Sequence, residues 1–573
     1  MTKKRIVELY SEYIKTATKI RQADFLSKNQ ISIAAFYKHF KSFYELTEHR
    51  VNIPKNKKEF FEQVYDSYKI NQANFHSLTS RLGWPRNSAY KAAHSFYGST
   101  SELMSLIYLR AEAEGIITPS RDELDDRSAL YKKRKAKTIK RYLVTAAMPE
   151  AELVKDAWHA MQNYAERNDA EIIVLPMRGM HSSHKRYTQE LYNSTKNHFA
   201  IEYKLSANLV ARDVKLFPAH RNPAYGNRDL AKKSSMIMAH TKQDQAPCQV
   251  LDVTKPRSVF TTGVITTRDF QNTLSGYRNQ QELIVGGVVA DVDSKTGEFF
   301  ARHVLFQDDF ISSMGKRYHA SGDVTDDPAV YLKLGDIHSL FTEPQYKQAS
   351  IEQINFFNVP EAGGGDWFDG KSISHYDAQN MIVRSKVLTL QDELDYLIED
   401  VRDWLSKINC RLGMTASNHP EWINRYLTGN RWVNDPVNYR TALSLTNALL
   451  NHQDPIEYYF QENAPELCDR IQFYKRSEMQ RLSNWLYTIH GDLGPDGARG
   501  SIHNQSAAGP VIMEHIHGAG KKGDVMAVGT LALQTLDYAA NRLSSWQAQN
   551  IVIYQSGAAQ QLWMSPRGKW KID

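Results

Sequence analysis

The sequence predicts an α/β protein with an all-helical N-terminal region, and three observations support this prediction. Apolar residues recur at helical spacing through residues 1–130, as in "RIVELYSEYI". Strand-like and helix-like segments alternate from about residue 140 onward. After residue 325, several apolar, strand-like segments end at an Asp, Asn or His. We therefore divide the chain into a helical region (1–130), an additional α/β middle region (131–325) and a C-terminal α/β domain (326–573).

Length and composition are those of an ordinary globular protein. The chain has 573 residues, of which 42% are hydrophobic and 24% are charged, and this length suits about three or four domains. No apolar run approaches the roughly 20 residues of a membrane span, and no apolar signal core follows the basic start. The cysteines Cys248, Cys410 and Cys468 are far apart and suit a reducing compartment. We expect a cytoplasmic protein with no membrane partner.

The helical region contains a short internal repeat. "YKHFKSFY" (Tyr37–Tyr44) and "YKAAHSFY" (Tyr90–Tyr97) match at five of eight positions, at an offset of 53 residues. Each copy follows an upstream helix and a short polar break, which is the plan of a helix-turn-helix. The repeats resemble the small helical repeats found beside phage endonuclease domains. Two interpretations stay open, namely DNA-binding repeats and a plain helical bundle or oligomerisation arm.

Positive charge is concentrated just after the helical region. Net charge is +7, and the stretch Tyr131–Leu143 alone holds seven Lys or Arg in thirteen residues. One interpretation is a phosphate-contacting segment, and the other is a solvated linker or helix face. The candidate nucleic-acid contacts in this stretch are Lys132, Lys133, Arg134, Lys135 and Lys137.

The middle region begins with a predicted β-α-β unit. "RYLVTAA" is strand-like, "EAELVKDAWHAMQNYAER" is an amphipathic helix, and "AEIIVLPMRG" is a second strand. No G-x-G-x-x-G follows the first strand, so a dinucleotide site is not indicated. Further strands follow, with a hairpin turn at "SKTGE". His181 and His184 are either metal ligands or residues of a surface loop.

The segment "AVYLKLGDIHSLF" (Ala329–Phe341) places Asp336 and His338 just after a strand-like run. Residues i and i+2 of a strand share a face, so we expect the two side chains to converge where the strand ends. Open α/β sheets place their chemistry at such carboxyl ends. A carboxylate and an imidazole there can hold a divalent ion, although Gly-Asp-x-His also occurs by chance.

A second acidic motif follows in "INFFNVPEAGGGDWFDG" (Ile354–Gly370), which we predict to be the next strand. Its glycines allow a tight backbone turn before Asp366 and Asp369. Asp366 would supply a carboxylate able to bridge two ions, and an ordinary Gly-Asp loop turn is the alternative. The pattern then predicts an amphipathic crossover helix over Thr389–Ile408.

Three further motifs continue the series. Asn418 and His419 follow a short apolar stretch, and an Asn amide oxygen can ligate a metal while the adjacent His contacts phosphate or protonates a leaving group. His490 ends a strand-like run in "LSNWLYTIHGDLG". His515 and His517 end another in "GPVIMEHIHGAG", and their i, i+2 spacing predicts that they share one strand face.

In this order, the motifs D-x-H, G-D-x-x-D, N-H, H and H-x-H resemble those of the calcineurin-like metallophosphoesterase family. The resemblance covers residues 331–517 and implies a two-sheet α/β sandwich with two adjacent metal sites. It implies one ion on Asp336, His338 and His517, a second on Asn418, His490 and His515, and Asp366 as the bridge between them. It also implies that His419 acts in catalysis without binding metal, and that Asp369 supports the ligands.

The chain departs from the family pattern at two motifs. Ser417 and Pro420 flank Asn418-His419 where the family has Gly and an acid, so Glu421 is the acid that could orient His419. Glu514 replaces the Gly before His515, and we expect it to add negative charge or a supporting hydrogen bond. Neither departure removes a proposed ligand. They affect the expected rate and substrate more than the metal centre.

The expected cofactors are two divalent metal ions. A mixed oxygen and nitrogen ligand set suits Mn²⁺, Fe or Zn²⁺ better than Mg²⁺. We expect Mn²⁺, as in the family's nucleases. Candidate contacts to substrate phosphate are Arg499, Lys521 and Lys522, and solvated loops are the alternative for these residues.

The expected function is metal-dependent hydrolysis of phosphodiester bonds in DNA, as in the family's double-strand-break-repair nuclease branch. The alternatives are a phosphatase or cyclic-nucleotide phosphodiesterase acting on small substrates, and a non-catalytic nucleic-acid-binding protein. The layout also resembles that of the pre-early proteins with which T-five-like tailed phages degrade host DNA, which implies the host cytoplasm. We expect DNA as the partner and a homo-oligomer, with endo- and exonucleolytic cutting both open.

Overall fold

The computed structural model describes residues 53–71, 74–118, 124, 139–178, 186–267, 273–374, 385–475, 480–482, 486–505, 509–532 and 542–572. It divides into two compact units, Met1–Thr118 and Pro119–Asp573. Some predicted features lie outside the described residues: the first repeat copy (37–44), Lys132, Lys133, Arg134, Lys135, Lys137, His181 and His184.

The described part of the first unit is helical, as predicted. Its helices are Lys57–Asn71, Phe75–Arg81, Arg86–Tyr97 and Thr100–Ala113. Ser99 caps the last of these, because its side chain accepts a hydrogen bond from the backbone N–H of Glu102. The helices pack around Trp84, whose ring is buried and stacks on Phe60 with centroids 5.0 Å apart. This aromatic centre gives the small unit its own hydrophobic core.

The second unit is a mixed α/β structure. Its α-helices are Lys155–Arg167, Gln189–Thr195, Leu274–Gln281, Pro344–Phe357, Leu390–Lys407, Glu421–Thr428, Tyr439–Leu450, Pro455–Asn463 and Pro465–Cys468. Short 3-10 helices are Tyr225–Leu230, Lys371–Ile373, Arg431–Asn434 and Pro495–Gly497. The predicted crossover helix is confirmed as Leu390–Lys407, which begins with a capping box between Thr389 and Asp392. Within the described ranges, no helix is both long and apolar enough to span a bilayer.

The first of three sheets contains the predicted β-α-β unit. In spatial order its strands are Val324–Asp326, Lys316–His319, Phe310–Ser313, Phe299–Gln307, Gly286–Asp293, Ile139–Ala147 and Ala170–Pro176. The last two strands are parallel, and the helix Lys155–Arg167 joins them. The predicted hairpin is also present, with Asp293 N–H donating to the Glu298 carbonyl across the turn. Sequence patterning therefore predicts the β-α-β unit and the hairpin of this sheet, but not the strands Phe310–Ser313, Lys316–His319 and Val324–Asp326.

The second sheet carries half of the candidate site. In spatial order its strands are Ile471–Tyr474, Arg411–Thr415, Glu361–Gly364, Ala329–Lys333, Gln549–Tyr554 and Ala559–Trp563. The first four of these are mutually parallel, whereas the last two pair antiparallel. The carboxyl ends of the four parallel strands therefore meet at one edge of the sheet.

The prediction of one strand over Ile354–Gly370 is wrong in its first half. Residues up to Phe357 belong to the helix Pro344–Phe357, and the strand is only Glu361–Gly364. Tyr346, Ala349 and Ile354 are buried at helical spacing, which shows why the apolar "INFF" run continues a helix. The helix ends at Asn358, whose φ of 48° is left-handed.

The third sheet combines strands from both halves of the second unit. In spatial order its strands are Gln480–Arg481, Tyr487–Ile489, Val511–Met513, Val525–Ala527, Gly520–Lys522, Gln245–Pro247, Ser258–Thr261, Ser235–Met238, Leu209–Arg212 and Glu202–Lys204. Lys521 and Gln245 face each other where the two sets of strands meet. Residues 131–325 therefore do not form a body of their own, because this sheet joins them to 326–573. The structure places its one division at Thr118/Pro119 rather than at 130 and 325.

Candidate metal centre

The candidate ligands lie directly beyond the ends of strands in two different sheets. In the second sheet, Asp336, Asp366 and Asn418 follow strands that end at Lys333, Gly364 and Thr415. In the third sheet, His490 follows the strand ending at Ile489, and His515 and His517 follow the strand ending at Met513. The edges of the two sheets bring all seven predicted ligands into one region of the second unit.

Left-handed backbone turns, rather than strand pleating, aim several of these side chains. The backbone φ angle is positive at four of the predicted site residues: 55° at His338, 50° at Asp366, 70° at His515 and 52° at His517. The expectation that i, i+2 pairs share a strand face is therefore wrong for these residues, since each strand has already ended. Non-glycine residues in this conformation carry a steric cost of roughly 1–3 kcal/mol, and such strain concentrates at functional sites.

One group of side chains gathers around His517. Its Nε2 lies 3.2 Å from Nε2 of His338 and 3.2 Å from Oδ2 of Asp336. His338 Nε2 also lies 3.6 Å from Oδ2 of Asp366. Two imidazole nitrogens and two carboxylates thus face a common point, as the ligands of one cation would.

A second group gathers around His490. Its Nε2 lies 2.6 Å from Oδ1 of Asn418 and 3.7 Å from Oδ1 of Asp366. His515 belongs to the same cluster, since ligand atoms of Asp366, His490 and His515 all lie within 4.8 Å of one another. Asp366 therefore turns one carboxylate oxygen towards each group, which is the position of a bridging ligand.

The carboxylates of this centre are buried, so their negative charge must be balanced inside the protein. Asp336 and Asp366 are 0% and 1% exposed, and among the described residues no donor reaches Oδ1 of Asp336. Burial raises the pKa of Asp366, but the imidazoles of His490, His419 and His338 outweigh burial and hold it well below its usual range. A buried, incompletely paired carboxylate set with imidazole nitrogens facing it fits a divalent cation of the Mn²⁺, Fe or Zn²⁺ type.

Two further carboxylates hold the far sides of the histidine rings. His338 Nδ1 lies 3.0 Å from Oδ1 of Asp369, whose other oxygen accepts from the N–H of Leu340. His490 Nδ1 lies 3.1 Å from Oε2 of Glu514, which is 0% exposed. Because Nδ1 is engaged, Nε2 of each ring faces the centre. Asp369 and Glu514 thus lie where a carboxylate can orient these two rings.

The same carboxylates shift the histidine pKa values upward. For His490, burial alone would lower the pKa, but Asp366 and Glu514 outweigh it and raise the pKa to about 9. For His338, burial is likewise outweighed, by the hydrogen bond to Asp369 and by Asp366, so its pKa lies above the usual value. A proton on either ring would balance part of the buried negative charge.

His419 sits beside the first group but is held differently. Its Nδ1 lies 2.9 Å from the carbonyl oxygen of Asp369, and its ring stacks on Trp422 with centroids 4.6 Å apart. Burial lowers its pKa, against the pull of Asp366. The partner that orients His419 is the Asp369 backbone and not Glu421, because Glu421 begins a helix and accepts from Asn424 instead.

A cavity of about 590 Å³ opens onto the two groups. Its walls include Asp366, Lys371, Ser374, His419, Trp422, Arg499, Gly500, His515, Ile516, His517 and Trp546. Arg499 lies here, as the phosphate-contact prediction requires. Trp546 packs edge-on against His517, with ring centroids 4.5 Å apart. The cavity thus joins basic and aromatic side chains to the candidate ligands.

Lys521 and Lys522 do not line this cavity. Their strand pairs within the third sheet, where the Lys521 ammonium is buried and donates to Oε1 of Gln243 at 3.3 Å. Burial lowers the pKa of Lys521 to about 8. Lys522 donates to Oδ1 of Asn222. The prediction that these two lysines contact substrate phosphate is therefore corrected, because both ammonium groups are directed into the sheet and its neighbouring loop.

Sequence reasoning missed Lys371, Trp422 and Trp546 as cavity residues. Trp422 lies three residues after His419, so its proximity to that histidine was a usable local signal. Lys371 follows the second acidic motif closely, but its charge alone does not distinguish it from a surface lysine. Trp546 has no neighbouring motif, and only the folded chain brings it to His517.

Comparisons of the chain with models of protein families, with curated proteins and with solved structures found no match. The motif order and the side-chain geometry are therefore the basis for a functional proposal.

Proposed function

We propose that this protein is a metal-dependent nuclease that hydrolyses phosphodiester bonds in DNA at a two-metal centre. The observation that carries the proposal is Asp366, whose two oxygens face two separate nitrogen-containing groups. The proposal includes a calcineurin-like metallophosphoesterase core within 326–573, which the motif order and the meeting of two sheet edges at the site support. It also includes Mn²⁺ as the preferred ion, on the strength of the mixed ligand set.

One ion would be held by Asp336, His338 and His517. The other would be held by Asn418, His490 and His515, and Asp366 would bind both ions. Two such ions would supply an activated water nucleophile and Lewis-acid stabilisation of the charge on phosphorus. The protein's own contribution is to hold these ligands in place before substrate arrives. Asp369 and Glu514 do this for His338 and His490 by engaging their Nδ1 atoms.

His419 is the candidate for proton transfer. With Nδ1 engaged by the Asp369 carbonyl, Nε2 is the ring nitrogen left to face the cavity. Its lowered pKa favours the neutral ring in the free site. A negatively charged phosphodiester beside it would favour the protonated ring, which can then donate Nε2–H to the leaving oxygen. Trp422, stacked on the ring, fixes the orientation from which that proton is delivered.

The walls of the cavity favour a nucleic acid over a small phosphate ester. Lys371 and Arg499 bring positive charge to the cavity that opens onto the candidate ligands. Trp422 and Trp546 offer aromatic surfaces on which bases stack, at about 1–3 kcal/mol per base in single-strand-binding proteins. Together with the net charge of +7, these side chains suit a strand of DNA. The layout of the chain extends the proposal to host-DNA degradation by a phage, with the enzyme working as a homo-oligomer.

A plasmid digestion assay tests this function. We expect Mn²⁺-dependent loss of supercoiled and linear DNA that EDTA stops. Asp366→Asn and His419→Ala should each lower the rate by at least about 10²-fold, the scale of a lost acid–base or metal-ligand group. His159→Ala, at an exposed helical histidine, is the matched control and should digest DNA like the unmodified protein.

The substrate forms and a second substrate separate the outcomes. Conversion of supercoiled to open-circular DNA indicates endonucleolytic cutting, whereas loss of only linear DNA indicates an exonuclease. Intact DNA with turnover of bis(p-nitrophenyl) phosphate would replace the nuclease proposal by a small-substrate phosphodiesterase. Digestion that survives Asp366→Asn would rule out the centre described above.

A further inference from the structure

We propose that the helix Arg86–Tyr97 is a recognition helix that binds in the major groove of duplex DNA. It lies in the first unit and contains the second repeat copy. The proposal concerns binding alone and is independent of metal and of hydrolysis at the centre in the second unit.

The local geometry is that of a helix-turn-helix. The helix Phe75–Arg81 is followed by a four-residue turn, and Arg86–Tyr97 follows directly. Gly83 in the turn has a φ of 72°, a conformation that glycine adopts without steric cost. Trp84 N–H donates to the Thr79 carbonyl at 2.9 Å and its buried ring stacks on Phe60. These contacts seat the second helix rigidly at its N-terminal end.

The inner face of this helix combines small buried residues with partly buried aromatic residues. Ala89 and Ala93 are its only fully buried positions among the described residues. Tyr90 and Phe96 pack beside them at the edge of the core. Tyr97 also packs there, against Phe61, so one face of the helix contacts the core and the opposite face is exposed.

The outer face is polar along its whole length. Asn87, Ser88, Lys91, His94 and Ser95 are all exposed. Their spacing of i, i+1, i+4, i+7 and i+8 places them on one face. Each offers a hydrogen-bond donor, and Asn, Ser and Lys are among the residues that contact base edges and phosphates in the major groove. Three of the five side chains, those of Asn87, Ser88 and Ser95, are also short, which allows close approach to a groove.

The charge around this face complements DNA. Residues 67–101 contain no Asp or Glu, but they contain four Lys or Arg and two His. On the neighbouring helices, Glu62 and Glu114 pair with Arg110 and Asp66 pairs with Lys69, whereas Glu102 lies beside Gly98 at the C-terminal end of this helix. An exposed helix face that only served solubility would usually mix both signs of charge. Thirty-five residues without an acid instead favour a polyanionic partner.

Fluorescence anisotropy with the full-length chain in EDTA tests the proposal, because EDTA prevents metal-dependent cutting. The probes are a labelled 20-base-pair duplex and the matching single strand. We expect Lys91→Glu to weaken duplex binding at least tenfold and to reduce the slope of log K against log[salt] by about one. Asn87→Ala should weaken duplex binding less and leave the salt slope unchanged, because Asn carries no charge.

Lys58→Glu is the matched control, since it makes the same charge change at an exposed position of the helix Lys57–Asn71. We expect it to weaken binding less than threefold, and circular dichroism should show equal helix content in all variants. Equal losses for Lys91→Glu and Lys58→Glu would overturn the proposal in favour of general charge attraction. A loss confined to the single strand would also overturn it. Duplex binding in EDTA and digestion with Mn²⁺ are measured separately, so failure here and failure of the nuclease proposal are distinguishable.

Discussion

Glu514 shows how one residue changes the character of the candidate centre. It stands at a position where the metallophosphoesterase motif that this segment resembles has Gly. Its carboxylate is completely buried between two partners. One oxygen lies 3.1 Å from His490 Nδ1, and the other forms an ion pair with Lys333, which is also 0% exposed. The buried lysine offsets the charge that Glu514 adds, so the carboxylate can orient His490 without leaving an unpaired charge in the core.

We predict that Glu514→Gln lowers Mn²⁺ affinity by about 10–100-fold, the scale typical of lost supporting contacts to a metal-bound histidine. The amide can still accept from His490, but its NH₂ group then faces the Lys333 ammonium, and the buried cation loses its counter-charge. Isothermal titration calorimetry with Mn²⁺ measures the affinity, and urea unfolding in EDTA measures the cost to stability.

The double variant Lys333→Met/Glu514→Gln is the control for this prediction. It removes both charges, so we expect it to recover stability relative to Glu514→Gln while Mn²⁺ affinity stays low. Unchanged affinity in Glu514→Gln would show that His490 does not depend on this carboxylate.

Local sequence was enough to predict the candidate ligands but not the rest of the cavity. Each ligand follows an apolar strand-like run, but the ligands lie at the ends of strands in two sheets, and their convergence on one centre is what the family resemblance implies. The prediction that Lys521 contacts substrate phosphate was wrong because its strand partner, Gln245, is far away in sequence. Trp546 has no motif beside it, and only tertiary structure brings it to His517.

At the scale of elements, the helix Leu390–Lys407 illustrates what patterning predicts well. Its apolar residues repeat at helical spacing, and Thr389 with Asp392 forms a reciprocal capping box. The helix also supports the cavity, because the buried Glu393 accepts from the backbone N–H groups of Lys371 and Ser372. By contrast, the strand Glu361–Gly364 is short and glycine-rich, and its β character comes from its parallel neighbours rather than from its own residues.

We predict that Thr389→Ala lowers the free energy of unfolding by about 1 kcal/mol. The substitution removes the hydroxyl that accepts from the Asp392 N–H, and this hydrogen bond is paired with the one from the Thr389 N–H to the Asp392 carboxylate. Urea denaturation followed by circular dichroism measures the change. Thr389→Ser keeps a capping hydroxyl and should stay close to the unmodified protein. Equal stability of the Ala and Ser variants would contradict a role for the cap.

At the scale of the second unit, buried polar contacts join strands that are remote in sequence. Gln245 in the third sheet donates to Gln549 in the second sheet, 304 residues away. Nearby, the Gln243 amide nitrogen lies 2.9–3.2 Å from the carbonyl oxygens of Thr262, Gly287 and Val304, while its oxygen accepts from Lys521. No local pattern reveals such pairings, so the boundary predicted at residue 325 falls within a region that the third sheet joins.

Two buried histidines in this joined region make its stability sensitive to acid. Burial, with the nearby charge of Lys521, lowers the pKa of His303 to about 3, although a hydrogen bond to Thr261 opposes the shift. Burial and the charges of Lys242 and His220 lower the pKa of His240 to about 3. Both values lie below the 6.5 expected in the unfolded chain. Between pH 3 and 6.5 the unfolded state therefore binds more protons, and stability is lost as the pH falls.

We predict that the histidine pair alone reduces the free energy of unfolding by about 3 kcal/mol between pH 6.5 and 5.0, since each group contributes up to ~1.4 kcal/mol per pH unit below its unfolded pKa. His303→Gln keeps a donor to the Thr261 carbonyl, and His240→Asn keeps an acceptor for the Lys242 N–H. The double variant cannot titrate at these positions, so its stability should fall less over the same interval.

Urea unfolding in EDTA at both pH values measures the difference, with His159→Gln as an exposed control that should follow the unmodified protein. Equal acid sensitivity of the double variant and the unmodified protein would show that other groups control the acid response of this unit.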